Sequence, residues 1–132
     1  MITLDTSAIL TLIDSYARRH ARTLAALRAD PGPYIVPVGI LSEITYLISA
    51  RWGQSAVVAF LADIVDGAYT LDCGDQDISR IQALVQNHAN LPLGYADAAV
   101  IACAERHGGR ILTLDRRDFD AIARAVSLTL LP

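Results

Sequence analysis

Apolar residues in this chain follow two patterns that alternate along its length. Short runs of consecutive apolar residues are typical of buried strands, and longer segments of helical periodicity are typical of helices that pack on a sheet. The short runs predict strands at 2–4, 34–38, 69–71, 111–114 and 128–131. The helical segments are 8–14, 16–29, 40–51, 55–66, 75 or 77 to 88, 96 to the Gly108-Gly109 pair, and 118–125. This alternation predicts one α/β domain, residues 1–132, with a mainly parallel sheet and helices on both faces.

Several of these apolar segments begin or end at an acidic residue. A helix made almost entirely of alanine and small aliphatic residues opens with Asp97, after a break marked by Pro92 and Gly94. The strand that follows runs directly into Asp115, and the first strand of the chain runs into Asp5. In open parallel sheets, ligands bind outside the carboxyl ends of the strands. The sequence therefore places Asp5 and Asp115 at the ligand-binding edge.

Each acid also has a purely structural interpretation. Asp5, Asp97 and Asp115 precede or open helices, where a carboxylate caps free N–H groups and meets the positive end of the helix dipole. Glu43 differs, because helical spacing puts it beside Ile40 at the edge of an apolar arc. We therefore expect Glu43 to be partly buried, which calls for either an arginine partner or a functional role.

Taken together, the four acids predict a metal site. Carboxylates that converge at one edge of a sheet repel one another and raise one another's pKa values, and a divalent cation removes that repulsion. Oxygen ligands alone suit Mg²⁺ or Mn²⁺ rather than zinc, which prefers histidine and cysteine. A metal held there can activate water and stabilise the charge that builds on a phosphate during hydrolysis.

Histidine and cysteine are not predicted to take part in this chemistry. His20, His88 and His107 fall on predicted helices without an acid of the quartet beside them, so we assign them structural or surface roles. The base should then come from water activated by the metal rather than from histidine. Cys73 and Cys103 lie far apart in the chain, and we expect two ordinary thiols rather than a disulfide or a metal pair.

Composition narrows the classes of protein further. The chain has 132 residues, a formal net charge of −3 and an apolar fraction of 53%. No apolar run is long enough to span a bilayer, and Asp5 interrupts any signal-peptide core, so we expect a cytoplasmic protein whose surplus apolar surface meets a protein partner. The net charge argues against a general polyanion-coating protein. All 11 basic residues are arginine, which favours bidentate phosphate contacts or reflects genomic base bias.

The segments around the four acids resemble those of the PIN-domain nucleases. The matching motifs are Asp5-Thr6-Ser7, Leu41-Ser42-Glu43-Ile44, Tyr95-Ala96-Asp97-Ala98 and Thr113-Leu114-Asp115-Arg116-Arg117-Asp118-Phe119. The length of the chain and the last motif are similar to the VapC toxins of bacterial toxin–antitoxin pairs, and the resemblance covers essentially the whole chain. It implies a PIN-like three-layer α/β/α sandwich with sheet order 3-2-1-4-5. It also implies a Mg²⁺- or Mn²⁺-dependent endoribonuclease that cleaves tRNA or ribosomal RNA, inhibited by a VapB-type antitoxin and assembled as a homodimer.

The resemblance also assigns roles to residues. It makes Asp5, Glu43, Asp97 and Asp115 the catalytic and metal-binding acids. One secondary position is a variable extra acid, whose structural alternative is a helix cap. Three others are hydroxyl residues that would orient carboxylates or reach phosphate, and their structural alternative is as ordinary caps and strand residues. Two arginines beside the last acid are candidates for RNA phosphate contacts or simply surface residues. These secondary residues are Asp118, Thr6, Ser7, Thr113, Arg116 and Arg117.

Other classes of protein share some of these features. A phospho-receiver domain also gathers acids at the edge of a parallel sheet, but it needs a lysine and this chain has none. A catalytically inactive PIN-like binding module would carry four acids at a cost in stability and no use for them. A PIN-domain nuclease outside any toxin pair stays open. For a toxin, we expect the antitoxin helix to bind an apolar groove, for which helices within 8–27 and at 55–66 are candidates.

Overall fold

The five strands form one parallel sheet in the order β3-β2-β1-β4-β5. The computed structural model describes residues 1–91 and 93–132, with the main chain alone described at residue 118, so the helix break expected at Pro92 lies outside the described residues. The sheet order implied by the resemblance is confirmed. The strands are β1 (Ile2–Leu4), β2 (Tyr34–Pro37), β3 (Thr70–Asp72), β4 (Arg110–Leu112) and β5 (Thr129–Leu131).

The central strand β1 is buried along its whole length. It pairs with β2 through Ile2 opposite Tyr34, and with β4 through Thr3 opposite Ile111. Its three residues are completely inaccessible to solvent, as expected for a strand that is covered on both faces. Because all five strands run in the same direction, their carboxyl ends share one edge of the sheet.

Helices and two short 3₁₀ turns connect these strands. The α-helices within the described residues are α1 (Thr6–Ile13), α2 (His20–Arg28), α3 (Leu41–Trp52), α4 (Gln54–Val65), α5 (Ile78–Asn87), α6 (Tyr95–Arg106) and α7 (Arg116–Val126). The α3 and α4 helices meet at Gly53, whose φ of 86° suits glycine and is costly for other residues. None of the described helices combines the length and the apolar character needed to cross a membrane.

Helix α2 begins four residues later than the periodicity predicts. Asp14 ends α1, and its carboxylate accepts a hydrogen bond from the backbone N–H of Tyr16 at 3.0 Å. This local bond to the main chain competes with helix formation and holds the chain in a turn before α2. The turn separates two helices that the apolar pattern alone places closer together.

Helix α6 is the most deeply buried helix and carries Asp97 in its first turn. All of its residues from Ala98 to Ala104 are buried, and their small side chains allow the helix to lie close to β1 and β4. In α3, Ile44 and Ile48 are fully inaccessible to solvent. This packing fixes the position of Asp97 relative to the strand ends.

Candidate active site

One cavity contains all four acids predicted from the sequence. It has a volume of about 200 Å³ and lies where β1 ends, between the first turns of α1, α3 and α6. We call it the acidic cavity. Its lining residues are Asp5, Thr6, Ser7, Leu10, Ile40, Glu43, Leu47, Ala96, Asp97, Val100 and Asp115.

Asp5 is the most buried and most constrained of the four acids. It is the N-cap of α1, with 5% of its surface exposed. Its Oδ1 accepts hydrogen bonds from the backbone N–H of Ala8 at 2.9 Å and from Ser7 Oγ at 2.7 Å. Its Oδ2 accepts a hydrogen bond from Thr113 Oγ1. Asp5 therefore caps a helix and lines the acidic cavity with the same carboxylate.

Burial raises the pKa of Asp5 above its ordinary value. Hydrogen bonds from Thr113, Ala8 and Ser7 oppose this shift, and the nearby negative charge of Asp115 adds to it. The net result is a carboxyl group that ionises less readily than one in water. A cation in the acidic cavity would reverse this balance, because it stabilises the charged form.

The hydroxyl groups of Ser7 and Thr113 connect the ends of β1 and β4. Ser7 Oγ accepts a hydrogen bond from the backbone N–H of Leu114 at 2.9 Å. Thr113 Oγ1 accepts one from the backbone N–H of Asp115 at 3.0 Å, while donating to Asp5. Both hydroxyls therefore fix the rotamer of Asp5 and the position of the main chain before Asp115. Thr6, the third hydroxyl singled out in the sequence, also lines the acidic cavity.

The other three acids are more accessible than Asp5. Asp97 is half-buried, whereas Glu43 and Asp115 are exposed at the cavity's rim. The expectation that Glu43 is partly buried is wrong, because Ile44 of α3 and Ile40, just before this helix, occupy the core while Glu43 is exposed. Asp115 is the N-cap residue of α7, but within the described chain its carboxylate accepts no hydrogen bond from the N–H groups of that helix. The capping alternative therefore does not explain why an acid lies at this position.

The described lining of the acidic cavity carries acidic side chains and no basic ones. None of these residues is an arginine or histidine, and Asp5, Glu43 and Asp115 form no ion pair within the described part of the chain. Within the described chain, no three of the four acids bring one ligand oxygen each within 4.8 Å of one another. The apolar lining residues, such as Val100, lower the local dielectric and strengthen any charge interaction there.

A second group with metal-ligand chemistry lies away from the acidic cavity, and the sequence analysis missed it. Asp72, Cys103 and His107 place one ligand atom each within 4.8 Å of one another. Arg106 already donates to both oxygens of Asp72, at 2.6 and 3.2 Å, and His107 Nε2 lies 2.7 Å from the same carboxylate. Arg106 also binds Asp77 through two hydrogen bonds. The carboxylates of this cluster are therefore already paired.

The thiols agree with the sequence-based expectation as far as disulfides are concerned. Cys73 is exposed and Cys103 is buried, and neither forms a disulfide. Burial raises the pKa of the Cys103 thiol to about 12, so it stays protonated at neutral pH unless a metal displaces the proton. We call Asp72, Asp77, Arg106 and His107 the ion-paired cluster. Its signal in the sequence was Arg106 at the end of α6, where a cation also interacts favourably with the helix dipole.

The remaining predicted site residues lie at the start of α7. Arg116 lines a different cavity, next to the acidic one, and Arg117 is exposed. The side chain of Asp118 lies outside what the structure describes. The structure therefore brings the four acids and three hydroxyls together, or next to one another, and places Arg116 on the far side of the 113–115 segment.

Residues 2–125 match the PIN domain, and the chain belongs to the PIN-domain family. It is 34% identical over 121 residues to the ribonuclease VapC26 of Mycobacterium tuberculosis, a match that covers 90% of each protein. The structure of VapC20 of Mycobacterium tuberculosis, described as a sarcin-ricin loop cleaving toxin, matches with a TM-score of 0.80 at 22% identity. That match covers 92% of this chain and 95% of the other.

A complex from a second organism has the same fold. VapBC2 of Rickettsia felis, bound to a DNA fragment from its promoter, matches with a TM-score of 0.72 at 18% identity, over 98% of this chain and 97% of the other. At identities of 22% and 18%, the solved structures establish the shared fold. The match to VapC26 adds that the sequence is similar to that of a VapC ribonuclease.

Proposed function

We propose that this protein is a Mg²⁺- or Mn²⁺-dependent endoribonuclease that acts as the toxin of a VapBC-type toxin–antitoxin pair. Membership of the PIN-domain family and the identity with a VapC ribonuclease support this class of enzyme. The observation that carries the proposal is the meeting of Asp5, Glu43, Asp97 and Asp115 around one cavity with no cationic side chain in its described lining. A PIN-domain nuclease outside a toxin pair is the second candidate.

The donor set of the acidic cavity fits a hard divalent cation. PIN-domain nucleases generally use a divalent metal ion, and carboxylate oxygens are ligands that Mg²⁺ and Mn²⁺ accept. We assign Asp5, Glu43, Asp97 and Asp115 as the residues that would hold it. Because no three of these acids bring their oxygens within 4.8 Å of one another in the described chain, some ligands would act through water, which Mg²⁺ commonly retains. When bound, such an ion supplies an activated water and charge stabilisation at the phosphate.

The protein's own residues prepare this cavity. Ser7 and Thr113 hold the two oxygens of Asp5 in place before any ligand arrives, so little rearrangement is needed at that position. Val100 and the other apolar residues of the wall limit the water around the reacting phosphate. The more exposed carboxylates, Glu43 and Asp115, leave the rim open to a large substrate.

We propose that the substrate is tRNA or ribosomal RNA and that the enzyme acts in the cytoplasm. The VapC20 toxin is described as cleaving the sarcin-ricin loop, which makes a structured RNA the first substrate to test for this chain. The open rim of the acidic cavity suits an RNA loop, in which a phosphodiester is accessible from one side.

We propose that a VapB-type antitoxin inserts an apolar helix between α1 and α4. A largely apolar groove of about 280 Å³ lies there, and its lining residues are Leu12, Ile13, Ala56, Ala59, Phe60, Asp63 and Tyr69. This groove falls on the helices that the sequence analysis singled out for their surplus apolar residues. Matches to solved toxin–antitoxin complexes support a partner of this kind. The proposal includes a homodimer of this chain, to be measured by the mass of the free protein in solution.

Removal and return of the metal tests the enzymatic part of the proposal. EDTA should abolish cleavage of a labelled RNA, and excess Mg²⁺ or Mn²⁺ should restore it. The Asp63→Asn variant, altered at an exposed acid on α4, should behave as the parent protein does. Cleavage that persists in the presence of EDTA contradicts the proposed chemistry.

The genetic context separates the two candidate functions. A toxin requires an adjacent small reading frame that encodes a DNA-binding antitoxin, and co-expression of that protein should relieve growth arrest. A chain that cleaves RNA but has no such neighbour is a PIN-domain nuclease outside a toxin pair.

A further inference from the structure

A second cavity lies on the other side of the 113–115 segment from the acidic cavity. It has a volume of about 370 Å³ and is formed by α2, the end of β4, α7 and the segment after β5. We call it the basic cleft. Its lining residues are Arg19, Arg22, Thr113, Leu114, Arg116, Asp120 and Pro132.

The charge of the basic cleft is opposite to that of its neighbour. Three guanidinium groups line it against one carboxylate. Arg116 is held in place, since its Nη2 donates to the main-chain oxygen of Pro132 at 2.8 Å and its Nη1 lies 3.6 Å from Asp120. Arg19 and Arg22 are exposed, and their side chains form no hydrogen bond or ion pair within residues 1–91 and 93–132.

The two cavities share one wall. Thr113 lines the basic cleft, and its hydroxyl donates to Asp5 in the acidic cavity. Leu114 also lines the basic cleft, while its backbone N–H donates to Ser7 on the acidic side. The two cavities therefore lie on opposite sides of the 113–115 segment, and an RNA strand is long enough to reach both.

We propose that the basic cleft binds the phosphodiester backbone of the RNA strand on one side of the phosphate to be cleaved, through Arg19, Arg22 and Arg116. This inference rests on the proposed function. A protein of net charge −3, with an acidic cavity where the reaction takes place, repels a polyanion unless local cations offset that repulsion. Guanidinium groups bind phosphate oxygens in pairs and without regard to base identity, so the basic cleft positions the strand and does not read its sequence.

Binding of RNA without cleavage tests the inference directly. The probe is a fluorescein-labelled single-stranded RNA of mixed sequence, with anisotropy measured in EDTA so that the RNA stays intact. We expect the Arg19→Ala/Arg22→Ala variant to bind roughly 100-fold more weakly, since each of the two lost contacts is a hydrogen bond to a charged group and contributes about tenfold. The slope of log affinity against log salt should fall by about 0.7 for each phosphate contact removed.

Two matched variants show whether position and charge matter. Arg28→Ala removes an exposed arginine from the last turn of α2, on a different side of the helix, and should leave both affinity and salt slope unchanged. Replacing Arg19 and Arg22 by lysine keeps the charge and should recover most of the affinity. If the double alanine variant binds RNA as tightly as the parent, with the same salt slope, the inference is wrong.

Hydrolysis of a small substrate separates this inference from the proposed function. Bis(p-nitrophenyl) phosphate carries a single phosphodiester and so has no neighbouring phosphate for the basic cleft to bind. The double alanine variant should therefore hydrolyse it at the parent rate with Mn²⁺, while its KM for RNA rises. A protein that cleaves neither substrate contradicts the proposed function, and the anisotropy result still decides whether the basic cleft binds RNA.

Discussion

Thr113 Oγ1 donates a hydrogen bond to Asp5 Oδ2, across 108 positions of sequence. Both residues directly follow paired parallel strands, β1 and β4, so the bond forms only when the centre of the sheet has assembled. Asp5 is at the same time the acid of the acidic cavity with the least access to solvent, with 5% of its surface exposed. The geometry of the candidate active site is therefore coupled to the folding of the sheet.

The first prediction concerns this hydrogen bond. Thr113→Val removes the donor to Asp5 and the acceptor for the backbone N–H of Asp115, and should lower the free energy of unfolding by about 1–3 kcal/mol. Thr113→Ser keeps the hydroxyl and should retain RNA cleavage. Urea unfolding and cleavage rates measure the two effects. Loss of activity in the serine variant together with retention in the valine variant would show that the methyl group, and not the hydroxyl, is what matters.

The second prediction concerns the acids themselves. Asp97→Asn or Asp5→Asn should abolish RNA cleavage and growth arrest, with a loss of about 100-fold or more, because even the outer partners of metal ligands cost 10–100-fold. Asp66→Asn is the matched control, since it makes the same change at an exposed acid outside the acidic cavity. Circular dichroism confirms that each variant is folded. Parent-level cleavage by either site variant contradicts the assignment.

The third prediction follows from the raised pKa of Asp5. In the metal-free protein the folded state binds this proton more tightly than the unfolded state, whose pKa is about 3.8. Asp5 therefore stabilises the fold at low pH, and that contribution is lost as pH rises through the folded-state pKa. Thermal unfolding in EDTA should show this loss for the parent protein and not for Asp5→Asn.

Metal should reverse the effect at neutral pH. Adding Mg²⁺ should raise the Tm of the parent protein near pH 7, because a ligand that binds only the folded state stabilises it, and the increase should shrink as pH falls and protons compete. Identical pH profiles for the parent and Asp5→Asn would contradict the assigned burial cost.

The fourth prediction concerns Asp72 at the end of β3, which pairs with Arg106 of α6. Its contribution to stability changes with pH in the opposite direction to that of Asp5. Hydrogen bonds from Arg106 lower the pKa of Asp72 from 3.8 to about 2. This stabilisation is fully present above pH 4 and is lost as pH falls towards 2, and the shift corresponds to about 2 kcal/mol. Asp72→Asn should lose that amount at pH 7 and much less at pH 2. Asp66→Asn, at an exposed acid, should show no such difference in denaturant unfolding.

The fifth prediction tests the groove between α1 and α4. Ala59→Arg places a long charged side chain in the groove and should prevent an antitoxin from relieving growth arrest, while RNA cleavage continues. Ala125→Arg makes the same change at an exposed alanine of α7 and should remain sensitive to the antitoxin. Continued inhibition of Ala59→Arg would place the antitoxin elsewhere.

Much of the fold could be predicted because its signals are local. The strand runs and the helix breaks at glycine appear in the apolar pattern, and Asp5 and Asp115 could be placed at one edge from the direction of parallel strands. The late start of α2 could not, because it depends on a side-chain bond from Asp14 to the main chain. The sheet order came from resemblance to a family and not from the residues themselves.

The candidate site shows where such reasoning stops. Successive residues of a helix are about 100° apart around its axis, so helical periodicity alone does not tell whether a residue at the edge of the apolar arc, such as Glu43, faces the core or the rim. The basic cleft was also beyond it, because Arg22 and Arg116 lie on different helices and meet only through the tertiary fold. Sequence spacing can show which residues share one face of a helix or strand, but it does not show which cavities form between different helices and strands.

The 113–115 segment forms one wall of both cavities. Because of this, RNA binding in the basic cleft and hydrolysis in the acidic cavity are hard to change independently by substitution. A substitution at Leu114 that reshapes the basic cleft also moves the backbone N–H that holds Ser7, and so disturbs the carboxylate of Asp5. Engineering a weaker or more selective form of this protein is therefore best begun on α2, whose arginines can be exchanged without touching that shared partition.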